Sequence, residues 1–277
     1  MNKAKVQVIP FVISFAFFFG LSMGWNRVAR LLSEHGISPV AVGFPAFILF
    51  VWLLLSLAKR GMMNSGSDSV ALVPVNPQDC PWLDYETLAQ LSMALEAIYF
   101  VPLRDFTMQA ETGQLPKGFA RLFHNPNLHC YAEVNHIPSS PHAGVECTIS
   151  SKLEDGWWLS TTTRIPFAGL WSLRKPKSVW TSHPLMNPSQ LMQAHLAWRE
   201  NMVHDLGVEV MPETSFEAYE QRELETHKVN RGILRRKPMV VLMMEQALFS
   251  VSPKMEWRGE YPKVAAQRAR SGGVVGG

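Results

Sequence analysis

The segment HNPNLHCYAEVNHIPSSPHAGVEC, residues 124–147, gathers four histidines and two cysteines, residue types that hold metals or act as nucleophiles. A zinc site needs three or four such ligands converging at about 2.0–2.3 Å, usually supplied as close pairs on a turn or a helix face. The histidines stand at 124, 129, 136 and 142, intervals that match no short ligand spacing, and the chain has no CxxC or HExxH. On a strand rising ~3.3 Å per residue, His129 and His136 fall roughly 23 Å apart and on opposite faces. The stretch therefore predicts two strands and two turns, with inward thiols at Cys130 and Cys147, dispersed imidazoles, no metal and no cofactor. If PSSPH centres the hairpin near 140–141, Cys147 lies opposite Val134 and not Cys130. His129 adjoins Cys130, but strand neighbours face opposite ways, so the pair is no catalytic dyad.

Elsewhere the residues that could do chemistry are few. His204 and Asp205 form a titratable pair near a helix end, although adjacent helical residues diverge by about 100°. A histidine there more often serves the helix dipole. His195 follows Leu191 by four residues on an apolar face, which predicts a core histidine with its hydrogen bonds met. Ser172-Leu-Arg-Lys175 spells S-x-x-K, but Pro176 follows at once and the accompanying S-D-N and K-T-G strings are missing, so chance accounts for it. No catalytic residue is assigned; the candidates for such a role are His204, Asp205 and His129, with His136 and His142 behind them. Lys228, Arg231, Arg235, Arg236 and Lys237 have two readings: contact with anionic lipid headgroups, or complement to the dipole of a helix that begins with Glu213, Glu217 and Glu220.

The elements that must position these residues read as an α+β domain over 81–263, a four-stranded antiparallel meander packed by helices. ARLF, LHCYAEVNHI, GVECTISSK and WWLSTTTRI alternate with period two between the turn signals NPN, PSSPH and LEDG. Leu128, Cys130, Ala132 and Val134 share one face, as do Val145, Cys147 and Ile149 on the next strand. Trp157 and Trp158 would put one ring in the core and one outside, the latter a candidate contact point. A helix starts at the N-cap Asp84 and carries Leu88, Leu91, Leu95 and Ile98 on one stripe. Asn187-Pro188 opens a second helix that ends at Gly207. A third begins near Thr214-Ser215, with capping-box spacing from Thr214 to Glu217 and a break at Gly232. PMVVLMMEQALFSV (238–251) reads as a buried strand or helix, too short to span a bilayer. Residues 61–80 are a juxtamembrane linker and 264–277 a disordered tail.

Composition sets the wider frame. Residues 1–60 hold six bases and one acid out of the chain's 26 and 23, leaving 20 and 22 for the remainder. With no basic excess on the folded part, nucleic acid is not an expected partner. Val8–Trp25 and Pro39–Ala58 are uncharged runs of 18 and 20 residues, each long enough to cross a bilayer. Together they predict a two-helix transmembrane hairpin over 1–60, with spans at about 8–25 and 39–58. Ala16, Gly20 and Gly24 share one face of the first span, which suits packing on the second span, on another membrane protein or on a second copy. Lys3, Lys5, Lys59 and Arg60 against Arg27 and Arg30 place both termini in the cytoplasm, in an integral, multi-pass protein of a bacterial inner membrane. Three cysteines make no even disulfide framework, in keeping with a reducing compartment.

Three functions fit such a chain. The first is a membrane-anchored, non-enzymatic scaffold or regulatory protein, favoured by a solid core with scattered histidines. The second is a tethered ligand- or lipid-binding module, which needs a sizeable cavity. The third is a tethered hydrolase, which needs three polar groups within hydrogen-bond reach in a cleft.

Overall fold

The computed structural model describes residues 70–110, 118–138 and 144–272 and, of the first sixty, Arg30, 33–36, Ser38, Phe44, 49–57, Lys59 and Arg60. The chain divides into two units, Met1–Arg60 and Gly61–Gly277. In the first, residues 49–57 are helical and expose Trp52, Leu53 and Leu57. The expected span 8–25, with Ala16, Gly20 and Gly24, lies outside the described residues, as does much of 39–58. Among the described residues no helix is long and apolar enough to cross a membrane.

The second unit is an α+β domain. Its strands are β1 (Val70–Pro74), β2 (Val101–Ala110), β3 (Phe119–Asn125), β4 (Cys130–His136), β5 (Val145–Lys152), β6 (Trp158–Thr162), β7 (Ser178–Ser182) and β8 (Glu256–Trp257). They form one eight-stranded sheet in chain order. Neighbours run antiparallel except β6 and β7, which are parallel and joined by a crossover containing α2 (Ala168–Ser172). The expected meander is present as β3 to β6, with Val134 opposite Cys147.

The sheet is wider than the expected four strands because its flanking strands carry weak alternation. Val101–Ala110 includes Pro102, Arg104 and Asp105, yet it is held to β3 by a two-pronged Arg121–Asp105 pair at 2.7 Å on both arms. β7 and β8 find partners only through the crossover and the returning chain, long-range pairings that no local pattern announces.

Both faces of the sheet are covered. On one face, Phe119, Phe123, Cys130, Ala132, Val134, Cys147 and Ile149 meet Leu88 and Leu95 of α1 (Tyr85–Glu96) and Leu191 and Met192 of α3 (Pro188–Leu206). Each fully buried leucine or phenylalanine there contributes about 1.5–3 kcal/mol. Asp84 caps α1 through Thr87 N at 3.0 Å. Asn187 and Gln190 close a reciprocal capping box on α3, which ends at the left-handed Gly207, as its turn chemistry requires. On the other face, Phe106, Leu122, Tyr131 and Trp158 lie under Phe216 and Tyr219 of α4 (Phe216–Arg236). The Tyr131 hydroxyl donates to Glu213 O and Ser215 O, at 3.3 and 3.0 Å, and so fixes where α4 starts. Two-sided cover explains why Trp157 and Trp158, though on opposite faces, are both buried at 3% and 9% exposure, so neither offers the surface contact expected of it.

The remaining differences are local. α4 is capped by Ser215, whose side chain accepts from Ala218 N, and not by Thr214, and the helix runs through Gly232 without a break. Residues 238–251 form a helix, α5 (Met239–Val251), that buries only Leu242 and Phe249. Of the tail expected to be disordered over 264–277, residues 264–272 belong instead to α6 (Tyr261–Gly272), and 273–277 lie outside the described residues. Tyr261 explains this, since its ring enters the core formed by Leu159, Val179, Met202 and Leu206.

Two glycines predict opposite outcomes. Gly259 has φ +53°, and a Cβ added there would overlap the Pro176 carbonyl oxygen, a backbone atom held by Glu260 N. Gly259→Ala is expected to cost about 2–4 kcal/mol, lowering Tm by roughly 5–15 °C. Gly232 lies within α4, and a methyl group added to it meets nothing within 4 Å, so Gly232→Ala is expected to stabilise by about 0.5–1 kcal/mol. Thermal unfolding followed by circular dichroism checks both signs.

Candidate functional site

The described histidines of the opening segment go to three different places. His124, on β3, has its Nδ1 3.2 Å from the Thr214 hydroxyl, and burial lowers its pKa. His129 sits in the β3–β4 turn at φ 49°, and its buried Nδ1 has no hydrogen-bond partner among the described residues. His136 lies across the sheet from His124, where its Nδ1 accepts from Asp84 N at 3.3 Å and its ring meets Trp82 edge-on. His142 is outside the described residues. Among the described residues no three of histidine, cysteine, aspartate and glutamate converge as a metal site would require. Burial pushes both the Cys130 and Cys147 thiols up to about 12, the opposite of what a nucleophile needs.

His204 and Asp205 separate as their helical positions dictate. His204 is exposed in the last turn of α3. Asp205 turns inward and accepts from the Tyr261 hydroxyl, which ties α6 to α3. Burial, then Asp205, pushes the Tyr261 phenol to about 12. His195 does sit against two hydroxyls, Ser151 Oγ at 2.9 Å from Nε2 and Thr161 Oγ1 at 3.1 Å from Nδ1. All three residues are fully buried, so this serine–imidazole pair is sealed from solvent. Burial, with a smaller contribution from Arg199, depresses the imidazole to about 3. Ser172 likewise spends its hydroxyl on Ala168 O at 3.1 Å.

The concave site lies on the other face of the sheet. Between β2–β7, the crossover and α4 there is a cavity of about 410 Å³. Phe106, Met108, Leu170, Leu173 and Trp180 supply apolar wall, and a polar chain crosses its floor. Arg164 pairs with Glu146 through Nε and donates from Nη2 to Asn135 Oδ1 at 2.9 Å. Asn135 in turn donates to Glu133 at 2.7 Å. The other oxygen of Glu133 accepts from the Tyr219 hydroxyl. Burial, followed by the field of Glu133, raises Tyr219 well above the usual phenol range. Arg222, from α4, stacks 3.7 Å from the centroid of the Trp158 ring and pairs with Glu223.

Lys175 stands apart in this lining. Arg164, Arg174 and Arg222 each hold a carboxylate: Glu146, Glu245 and Glu223. Among the described residues the Lys175 ammonium makes no hydrogen bond or ion pair. Burial, helped by the nearby Arg222 charge and opposed by Glu223, brings its pKa down to about 8. A partly desolvated cation in an apolar-walled cavity attracts an anion.

The sequence held part of this site. Glu133 and Asn135 alternate with the inward residues of β4 and read as a solvent face. The sign that this face is covered is the aromatic content of the same positions, Tyr131, Trp158 and Trp180, which a wet sheet face seldom carries in series. Lys175 had no signal beyond the accidental S-x-x-K. The basic run is divided: Lys228, Arg235 and Arg236 are exposed on α4 and Arg231 is half-buried, while Lys237 binds Glu245 and Ser172 O.

The buried His195 generates a pH prediction. The unfolded chain protonates this imidazole near its ordinary 6.5, whereas the folded protein resists protonation down to about 3. Stability is therefore intact above 6.5 and falls as pH drops from 6.5 towards 3. The loss from this group amounts to about 3–5 kcal/mol. His195→Gln is expected to flatten that part of the stability–pH curve in chemical denaturation; identical slopes for both proteins would remove His195 as the cause. No family model, curated protein or solved structure matches this chain.

Proposed function

We propose that the chain is a membrane-tethered ligand-binding module whose cavity takes an amphipathic anion, a carboxylate or phosphate ester with an apolar body. The observation that carries this reading is Lys175, the lining cation without a hydrogen-bonded carboxylate among the described residues, set in a cavity of about 410 Å³. The apolar walls receive the body of the ligand and Lys175 its charged end. Arg222 lies near enough to lower the Lys175 pKa, so the two cations together favour an anion there.

The tether rests on the two uncharged segments 8–25 and 39–58, and the bias of the basic residues flanking them supports a reading with both termini on the cytoplasmic side of a bacterial inner membrane. The hydrolase reading draws no support from the sealed Ser151–His195 pair. A non-enzymatic scaffold or regulatory role is the second reading, favoured by the apolar outer face of α5. It is compatible with the first if ligand occupancy governs a partner.

Short amphiphiles that partition weakly into lipid test the cavity. With the full chain in amphipol, calorimetric titration of octanoate and phenyl phosphate is expected to show saturable binding. Lys175→Met should weaken it by roughly tenfold, about 1.4 kcal/mol. Affinity should fall as pH rises through about 8, because the ammonium that the anion requires is lost there. Lys175→Arg should keep affinity flat across the same range, since guanidinium stays charged. Equal affinity for octanol and octanoate, or for Lys175→Met and the parent, would remove the anion site. For the tether, a reporter that works only when exported, fused after Gly277, is expected to be inactive.

A further inference from the structure

We propose that the outer face of α5 lies on the surface of an anionic lipid bilayer, a docking surface distinct from the cavity; this rests on the membrane-tethered reading above. α5 inverts the usual arrangement of a surface helix. Its inner side carries Leu242, Glu245 and Phe249, with Phe249 against the Trp171 ring at 5.7 Å. Glu245, the acid of this helix, points inward to Arg174 and Lys237. The opposite side repeats Val240, Met244, Ala247 and Val251 at i, i+4, i+7 and i+11, all exposed. Leu248 beside them is 67% exposed and Val251 86%. The helix spans ~20 Å, and along that length its outer face presents no charge.

Charge lies at both ends. Arg235 and Arg236 are exposed before the helix and Lys254 after it. Glu256, two residues beyond Lys254, is engaged by Arg258 at 2.9 Å. An apolar convex stripe bracketed by cations matches acyl chains flanked by anionic headgroups. It is poorly matched to a second copy, because pairing two such helices in either direction brings basic ends together. Lipid phosphates turn that repulsion into attraction. Inward salt bridges of Glu245 keep the helix fixed to the domain while its outer side faces the lipid.

The three native cysteines are buried, so single cysteines introduced at Leu248→Cys on α5 and Glu86→Cys on α1, across the sheet, can be labelled selectively with an environment-sensitive fluorophore. The full chain is reconstituted into vesicles of equal parts phosphatidylcholine and phosphatidylglycerol carrying a nitroxide lipid. Emission at Leu248→Cys is expected to be blue-shifted and quenched at least about threefold more than at Glu86→Cys. The excess should shrink in pure phosphatidylcholine and in an Arg235→Glu, Arg236→Glu background. Equal quenching at the two positions, or quenching indifferent to headgroup charge, overturns the proposal. So does a Leu248→Cys cross-link to a second copy or to the first sixty residues. A carbonate wash separates the two levels: protein freed from the vesicles overturns the tether, whereas protein retained with an unquenched label overturns only the docking of α5.

Discussion

Strands β3 to β6 are covered on both faces, so polar side chains such as Asn135, Ser151, Thr161 and Thr162 are cut off from water and have to find their partners inside the protein. An unmet buried hydrogen-bonding group costs about 1–3 kcal/mol, enough to matter against the marginal stability of a domain. Much of the side-chain architecture follows from this. Ser151 and Thr161 from adjacent strands satisfy both nitrogens of His195 on one face. On the other, Thr148 and Thr162 bond each other at 2.7 Å. Glu146, Arg164, Asn135, Glu133 and Tyr219 join four strand- and helix-borne groups and one from the crossover into a single run.

The cavity marks where this closure stops. α4 is anchored at its start by Tyr131 and Tyr219 and is held further along by Arg222 over Trp158. Beyond that the wall passes to the crossover, where the polypeptide turns from β6 to its parallel neighbour β7. A parallel connection cannot be a tight hairpin, and the extra chain brings α2 and Lys175 over the sheet. The same crossover carries Trp171, whose ring meets Trp180, Phe249 and Trp257. One requirement of topology thus yields both the lining of the cavity and the platform that holds α5 outward.

Legibility in the sequence tracks the range of the interaction. The β4–β5 register was readable because the PSSPH turn fixes it within a few residues and alternation then assigns the faces. The N-caps Asp84 and Asn187 and the C-terminal Gly207 were readable because capping is settled by a handful of neighbouring atoms. The burial of His195 was readable from Leu191 and the apolar stripe, although its partners Ser151 and Thr161 were not. Asp205 and His204 looked like a pair in sequence and part in space, since one turns to Tyr261, 56 residues onward. α6 was missed because its polar, glycine-ended sequence has little intrinsic drive to order, and Tyr261 supplies the order through a distant core.

By itself the sequence determined the α+β class, the central meander with its inward faces, the start of α1, both ends of α3 and the dispersal of the described histidines. Each depends on backbone periodicity, turn chemistry or capping, which act within one or two turns of chain. Only the tertiary structure decided that the sheet has a second covered face, that Glu133 and Asn135 look into a cavity and not into water, and that Lys175 stands there beside Arg222. It likewise decided that most apolar residues of 238–251, with Leu242 and Phe249 the buried exceptions, point outward. These outcomes depend on which segments meet across long sequence separations, and burial is a property of that meeting.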